Sequence, residues 1–277
     1  MLPRFTRDTT DRNRTSPFAF TGNKFEFRML GSSNSIACAN IMLNTAVAEI
    51  LRQFADELEG ADDFEAACHA LIRRTIKEHK RIIFNGNGYD DAWIKEATEV
   101  RGLLNLRTTP DALATLLDEK NVAVLTEHKV MTESEIHSRY EINMDNYVKT
   151  VRIEAITMAD MARRQILPAV EQYVTDLSAG IAARRAADSS LACTHELKQL
   201  SKLSALSDQI DEAAEALESA VAKLDMLSDV TEQAFFIRDV VIADMAALRA
   251  PCDEAETLTP AARWPFPTYG DLLFSVK

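Results

Sequence analysis

Residues 203–227 read LSALSDQIDEAAEALESAVAKLDML, and apolar side chains recur through this stretch at alternating steps of three and four residues. The recurring positions are Leu203, Leu206, Ile210, Ala213, Leu217, Ala220, Leu224 and Leu227. Such steps keep the side chains on one face of an α-helix, as in a coiled-coil seam. We expect this seam to form core before it forms a surface for a partner chain.

The seam belongs to one of two long segments that favour helix throughout. Neither glycine nor proline occurs in residues 132–167 or in residues 194–250. We predict two very long helical regions, the first kinked at Pro168 and the second broken near Ser228–Asp229. The polar residues 180–190 would connect them. The economical arrangement is an antiparallel helical hairpin or bundle within one chain.

A β-hairpin is predicted near the start of the sequence. Two short aromatic stretches, at 18–20 and 25–29, are separated by the turn sequence Thr-Gly-Asn-Lys. Side chains alternate between the two faces of a strand, so Lys24, Glu26 and Arg28 would share one face.

The remaining segments predict shorter elements. Helices are expected at 36–58, at 64–84 with Asp62-Asp63 as the cap, from about residue 90, and at 110–120 with Pro110 in the first turn. After the long helices we expect an irregular return over residues 251–267. A short strand over residues 269–276 would then end the chain.

Composition excludes several classes of protein. The 277 residues include 31 basic and 43 acidic side chains, and the net charge of −12 disfavours nucleic acid and anionic membranes as partners. No apolar run reaches the roughly 18 residues of a membrane span, and the first residues lack a secretory signal. The four cysteines form no CxxC pair, which favours buried reduced thiols over a zinc or redox site. We therefore predict a cytoplasmic protein.

The concentrated chemistry lies in a basic segment near the start of the chain. Arg12, Arg14, Lys24 and Arg28 could surround phosphate or carboxylate groups, because guanidinium groups match both with paired hydrogen bonds. Glu26 among them either neutralises its neighbours in a salt bridge or holds Mg²⁺, which prefers oxygen ligands. The spacing alone favours the salt bridge.

Longer strings identify a family. Residues 11–28, DRNRTSPFAFTGNKFEFR, contain an Asn-Arg-Thr element followed by a charged strand, and they resemble the type III branch of the glutamine synthetases. The similarity continues in NGNGY at 85–89, LTEHKVM at 125–131, SEIH at 134–137 and PTYGDLLF at 267–274. The resemblance covers nearly the whole chain.

This resemblance implies an activity and a set of roles. The family is a glutamate–ammonia ligase that makes glutamine from glutamate, ammonia and ATP through γ-glutamyl phosphate, in homo-oligomers that use Mg²⁺ or Mn²⁺. Glu26 matches the carboxylate that binds the metal near the ATP phosphates. Arg28 matches the arginine that contacts glutamate or its acyl phosphate, and Arg14 matches the one that steadies the transferring phosphoryl group. Lys24 matches a basic nucleotide contact.

The resemblance also implies a mainly α fold divided into three parts. Residues 1–84 match the carboxy-terminal part of the family's catalytic α+β domain, with its hairpin. Residues 85–262 match a helical carboxy-terminal domain with antiparallel long helices. Residues 263–277 would return as a short strand to the catalytic domain.

Departures from the family pattern limit the expected activity. The interval from Arg14 to Glu26 is shorter than in the bacterial type I pattern and lacks an additional arginine. The opening residues read as the interior of a domain, and the family's earlier catalytic motifs do not occur in the chain. We therefore expect no turnover by the chain alone. The alternative hypothesis is a non-catalytic helical module for assembly or regulation.

Overall fold

A computed structural model describes residues 18–20, 24–28, 31, 35–84, 87–88 and 90–274, and most of these residues are helical. The helices, in chain order, are α1 (Ala37–Leu58), α2 (Phe64–His79), α3 (Asp91–Lys95), α4 (Thr109–Ala114), α5 (Glu119–Glu127), α6 (Glu133–Met161), α7 (Leu167–Ala187), α8 (Thr194–Leu224), α9 (Val230–Phe236), α10 (Ile242–Leu258) and α11 (Tyr269–Leu273). Two strands, β1 (Phe18–Phe20) and β2 (Phe25–Phe27), pair antiparallel. The predicted fold class, mainly α with a short hairpin, is confirmed.

The chain divides into two compact units. The first unit comprises residues 1–107 and 115–136, and the second unit comprises residues 108–114 and 137–277. These boundaries differ from those at residues 84 and 262 that the family resemblance implies. The assignment of the segments to a catalytic and a helical domain stays a prediction.

The first unit contains the hairpin, α1, α2, α3 and α5. Asp63 accepts a hydrogen bond from the Ala66 amide at the start of α2, as the cap prediction required. A small apolar cluster holds α1 to α5 and the segment around it. Its buried members are Leu125, Met131 and Ile136, with Ile41, Met42, Leu116, Leu117 and Val122 packed against them.

The second unit is an antiparallel arrangement of long helices. Ion pairs join the continuous segment that runs from α6 to α7 with α8 and the residue directly after it. Along this series the residue numbers rise in the first segment and fall in the second, as in antiparallel helices. The pairs are Arg152–Asp225, Arg163–Glu218 and Arg184–Glu196. Gln199 near the start of α8 donates to the carbonyl of Leu258 at the end of α10, so α10 also runs antiparallel to α8. The predicted bundle is confirmed.

The seam of α8 forms the centre of this bundle. Its buried side chains are Leu203, Leu206, Ile210, Ala214, Leu217, Ala220, Val221 and Leu224. The predicted seam is therefore right except at two positions. Ala214 is buried where Ala213 was predicted and is only half-buried, and Leu227 lies beyond the end of α8 and is half-buried. Alternating steps of three and four average 3.5 residues, whereas an α-helix has 3.6 residues per turn. The predicted positions therefore drift slowly around the helix, and a neighbouring position takes the buried place.

The long helices carry two π-helical turns. Residues Ala162–Ile166 form one between α6 and α7, directly before Pro168, and Ile237–Val241 form the other between α9 and α10. The predicted break in the second long region is confirmed at residues 225–229. A kink at Pro168 stays a prediction, because the structure shows a π-helical turn there.

Two helix ends were predicted too early. Residues 180–190 were expected to be a connection, but α7 continues to Ala187. Pro251 was expected to begin an irregular return, but α10 runs through it to Leu258. A proline inside a helix costs about 3 kcal/mol in lost bonding and steric strain. Here Pro251 and its neighbour Cys252 are buried against the bundle, and this packing offsets that cost.

The predicted terminal strand is wrong over the residues that the structure describes. Residues 269–273 form the short helix α11. The amide of Asp271 donates to the Thr268 hydroxyl at 3.2 Å, and the Asp271 carboxylate accepts from the Thr268 amide at 2.8 Å. This reciprocal capping satisfies the backbone amides of Thr268 and Asp271 at the start of the helix. The strand was predicted from the alternation of apolar residues, and that pattern does not report capping. Separately, no described helix has the length and apolar character needed to cross a membrane.

Candidate functional site

The hairpin brings three of the predicted site residues together. In its register Ala19 lies opposite Glu26, and the paired phenylalanines flank that position. Glu26 Oε2 accepts from Arg28 Nη2 at 2.8 Å and from Arg28 Nε at 3.2 Å. Lys24 Nζ lies 3.8 Å from Glu26 Oε1. The prediction that these side chains share one face is therefore confirmed.

Exposure differs among the three charged groups. The side chains of Glu26 and Arg28 are each 28% exposed, whereas that of Lys24 is 67% exposed. Partial shielding strengthens the pairing of Glu26 with Arg28, while water screens the more distant Lys24. The geometry matches the salt bridge that the spacing favoured.

One carboxylate can supply part of a magnesium site. Mg²⁺ in nucleotide enzymes is held by one or two carboxylates together with phosphate oxygens and water. Among the described residues, no group of three or more histidine, cysteine or acidic side chains is placed to hold a metal ion. Glu26 therefore does not belong to a complete metal cage within the described part of the chain, and its role as a metal ligand stays a prediction.

Arg14 lies outside the residues that the structure describes, as does Arg12. The geometry therefore relates Lys24, Glu26 and Arg28 to one another, and the place of Arg14 beside them stays a prediction.

A second polar cluster in the first unit was not predicted. Glu49 of α1 is buried, and its carboxylate accepts from Arg52 Nη2 at 2.8 Å and from Gln53 Nε2 at 2.6 Å. His128 Nε2, just after α5, lies 2.7 Å from Glu49 Oε2. The hydrogen bonds from Arg52, then from Gln53 and His128, lower the pKa of the Glu49 carboxyl to about 2. This carboxylate stays ionised and links two helices.

Only the contacts of Glu49 within its own helix could be predicted from the sequence. Arg52 and Gln53 follow Glu49 by three and four residues, a spacing that predicts contact on a helix. The contact with His128 spans 79 positions of the chain. No local pattern indicates it, and only the packing of α1 against α5 creates it.

Phe84 and Trp93, which flank the glycine-rich sequence 85–88 along the chain, belong to an aromatic cluster. The rings of Phe84 and Trp93 stack with centroids 3.6 Å apart, and the guanidinium carbon of Arg101 lies 4.8 Å from the Trp93 ring. Arg101 Nη1 also donates to the carbonyls of Arg81 and Ile83. These contacts hold residues 81–84 to residues 93–101, so Trp93 has a packing role. Tyr89 lies outside the described residues.

The second unit contains an apolar groove but no reactive group within it. The groove between α6 and α10 has a volume of about 350 Å³, and Met158, Met161, Leu248 and Cys252 are among its lining residues. Burial raises the pKa of the Cys252 thiol to about 11, so the reactive thiolate form is scarce at neutral pH. All four cysteines are free, but only Cys252 is buried, and the prediction of four buried thiols is wrong.

Comparisons with known proteins agree on one family. Residues 67–185 match the family model described as the glutamine synthetase C-terminal domain. The chain is 37% identical over 278 residues to a glutamine synthetase of Butyrivibrio fibrisolvens, covering 99% of this chain and 39% of that protein. It is 35% identical over 280 residues to a type-3 glutamine synthetase of Dictyostelium discoideum, and 33% identical over 283 residues to a glutamine synthetase of Bacteroides fragilis (strain YCH46). In both cases 99% of this chain and 38% of the relative are covered.

The extent of these matches is informative. The chain spans a little over a third of the length of these curated relatives, and it matches their carboxy-terminal part. The family model covers α3 to α6 and most of α2 and α7. The motifs in residues 11–28 lie outside this matched region. Two independent parts of the chain thus point to one family. Over almost its whole length, this chain is similar to the carboxy-terminal portion of type III glutamine synthetases.

Proposed function

We propose that this chain supplies one wall of the active site of a glutamine synthetase, which amidates glutamate with ammonia and ATP. The observation that carries the proposal is the position of Glu26 between Lys24 and Arg28 on one face of the hairpin. Similarity to glutamine synthetases over 99% of the chain supports it. The pairing of β1 with β2 sets the register of Glu26, and the strand places the three charges on one face.

Glu26 is the residue that would hold Mg²⁺ or Mn²⁺. Its carboxylate provides a hard oxygen ligand, and its Oε1 atom lies 3.8 Å from Lys24 Nζ. A bound divalent ion would offset the negative charge of the ATP phosphates during phosphoryl transfer. Arg28 holds the other carboxylate oxygen and so sets the orientation of the Glu26 side chain.

The basic residues have roles that follow from their geometry. A guanidinium group binds a carboxylate or a phosphoryl group with two parallel hydrogen bonds, so Arg28 suits glutamate or its acyl phosphate. The more exposed Lys24 suits a nucleotide phosphate, as a mobile point charge. Arg14 would steady the transferring phosphoryl group, an electrostatic role that depends on fixed placement.

A hybrid protein tests this proposal. In it, this chain replaces the matched carboxy-terminal part of the Butyrivibrio fibrisolvens glutamine synthetase. We expect the hybrid to form γ-glutamyl hydroxamate from glutamate, hydroxylamine and ATP with Mg²⁺, and the isolated chain not to do so. Glu26→Ala in the hybrid should lower kcat by about 100-fold or more, the usual loss when a group that stabilises transition-state charge is removed.

A matched control separates chemistry from folding. Glu171 lies on the exposed face of α7 in the second unit, so Glu171→Ala removes the same charge far along the sequence from the hairpin. The hybrid with Glu171→Ala should keep its activity. A folded hybrid with Glu26→Ala that is as active as the unmodified hybrid would contradict the role of Glu26.

A non-catalytic role in assembly or regulation is the second candidate. The extensive core of the second unit favours it, because a bundle that buries its own apolar seam needs no active site to fold. A folded but inactive hybrid would support this role. We also propose, from the family resemblance, that the whole protein is a cytoplasmic homo-oligomer.

A further inference from the structure

Helix α1 carries an apolar stripe along one face. The stripe consists of Leu43, Val47, Ile50, Phe54 and Leu58, which follow one another at steps of three and four residues, with Leu51 beside them. Such steps place side chains on a single face of a helix. A surface helix usually turns this face toward the core of its own unit.

In α1 the opposite face is the buried one. Its two buried residues are Thr45 and Glu49, and Glu49 contacts His128. In the middle of the apolar stripe, by contrast, Val47 is 57% exposed, Ile50 is 44% exposed and Leu51 is 60% exposed. The helix therefore buries a carboxylate and exposes three large aliphatic side chains within about one turn.

The surroundings of these three side chains are suited to burial. From Gly31 to Ala48 the sequence contains no charged residue. Ala46, Ala48 and Asn44 border the exposed patch, so an apolar partner could cover it without removing a charge from water. A contiguous apolar patch of this kind marks an interaction surface more often than a solvated face.

We propose that Val47, Ile50 and Leu51 form a docking surface for the part of the glutamine synthetase polypeptide that precedes the matched region. This inference rests on the proposed function, because it takes the occupant from that family. The relatives are matched over only 38–39% of their length, at their carboxy-terminal end. The remainder of such a protein is the partner, and it presents an apolar surface to α1.

Thiol labelling tests the proposal directly. Val47→Cys is prepared in the isolated chain and in the hybrid, and its modification by a maleimide is followed on the corresponding peptide by mass spectrometry. We expect labelling in the hybrid to be slower by about tenfold or more, because the site would react only when local opening exposes it. Ile153→Cys, on an exposed position of the second unit, is the matched control and should react equally fast in both proteins.

Equal labelling of Val47→Cys in the two proteins would overturn the proposal. Labelling of the isolated chain that slows as its concentration rises would overturn it as well, by assigning the surface to a second copy. Faster labelling after removal of residues 1–17 from the isolated chain would instead assign the surface to the chain itself. The labelling rate does not depend on catalysis. A hybrid that is inactive but labels slowly at position 47 would count against the proposed function alone. An active hybrid that labels as fast as the isolated chain would count against the docking surface alone.

A charge placed on the surface gives a second test. Ile50→Lys should leave the thermal midpoint of the isolated chain unchanged, because the side chain already meets water. In the hybrid the same change should lower the thermal midpoint or the yield of soluble protein, whereas Ile153→Lys should not. An Ile50→Lys hybrid as stable as the unmodified one would contradict the proposal. Failure of the unmodified hybrid to fold would also count against it, since the proposal requires complementary surfaces.

Discussion

The two units of the molecule bury apolar surface to very different extents. Among the described residues, the cluster in the second unit contains 23 buried residues, whereas the cluster in the first unit contains three. The second unit aligns long antiparallel helices around the α8 seam. The first unit holds α1 to α5 through a small apolar cluster and through the polar contact of Glu49 with His128. The second unit therefore has an extensive core of its own. The first unit exposes Val47, Ile50 and Leu51 of α1, the surface for which we propose a partner.

The largest expected effect lies in the core of the second unit. Leu217 of α8 is fully buried, so Leu217→Ala should lower the free energy of unfolding by about 3 kcal/mol through lost burial and the cavity left behind. Chemical denaturation followed by circular dichroism measures this loss. Leu191→Ala, at an exposed position in the connection before α8, is the control and should cost less than about 0.5 kcal/mol. Similar losses for both would break the contrast between a packed core and an open surface.

The polar link in the first unit predicts a smaller effect that depends on pH. The folded pKa of Glu49 is about 2, below its ordinary value of 4.5, so the folded state binds this proton less readily than the unfolded state. The stabilisation is present above about pH 4.5 and is lost as pH falls toward 2. Thermal melts from pH 2 to 6 should show a difference between the unmodified chain and Glu49→Gln that shrinks at the acid end.

The control for the pH experiment is an exposed carboxylate in the second unit. Glu171→Gln removes an exposed carboxylate from α7 and should leave the pH dependence of the melt unchanged. A Glu49→Gln variant whose midpoint follows the unmodified chain at every pH would show that the contact with His128 does not stabilise the first unit.

The smallest expected effect concerns the ion pairs on the surface of the bundle. Arg152 Nε lies 2.6 Å from Asp225 Oδ1, but both side chains are more than a third exposed. Arg152→Ala should cost only about 0.5 kcal/mol, because water and salt screen an exposed pair. A double-mutant cycle with Asp225→Ala at low and high salt measures the coupling. A coupling above 2 kcal/mol would mean that surface charges, and not the seam, hold α6 to α8.

Local patterns predicted most of the helices and part of the site. The α8 seam was readable because helical periodicity belongs to the helix itself, and the shared face of Lys24, Glu26 and Arg28 was readable because strands alternate. The short helix α11 was missed because its start depends on the reciprocal bonds of Thr268 and Asp271, which apolar alternation does not report. Pro251 was taken as a helix end because the burial around it was not visible in the sequence.

The sequence by itself determined the family resemblance, the long helices and the charged face of the hairpin. These depend on composition and short-range spacing, which the chain carries whatever surrounds it. Only the tertiary structure decided that Glu49 meets His128, that α10 continues through Pro251 and that α1 exposes Val47, Ile50 and Leu51. Burial depends on which distant segments cover a residue, and no local spacing specifies that.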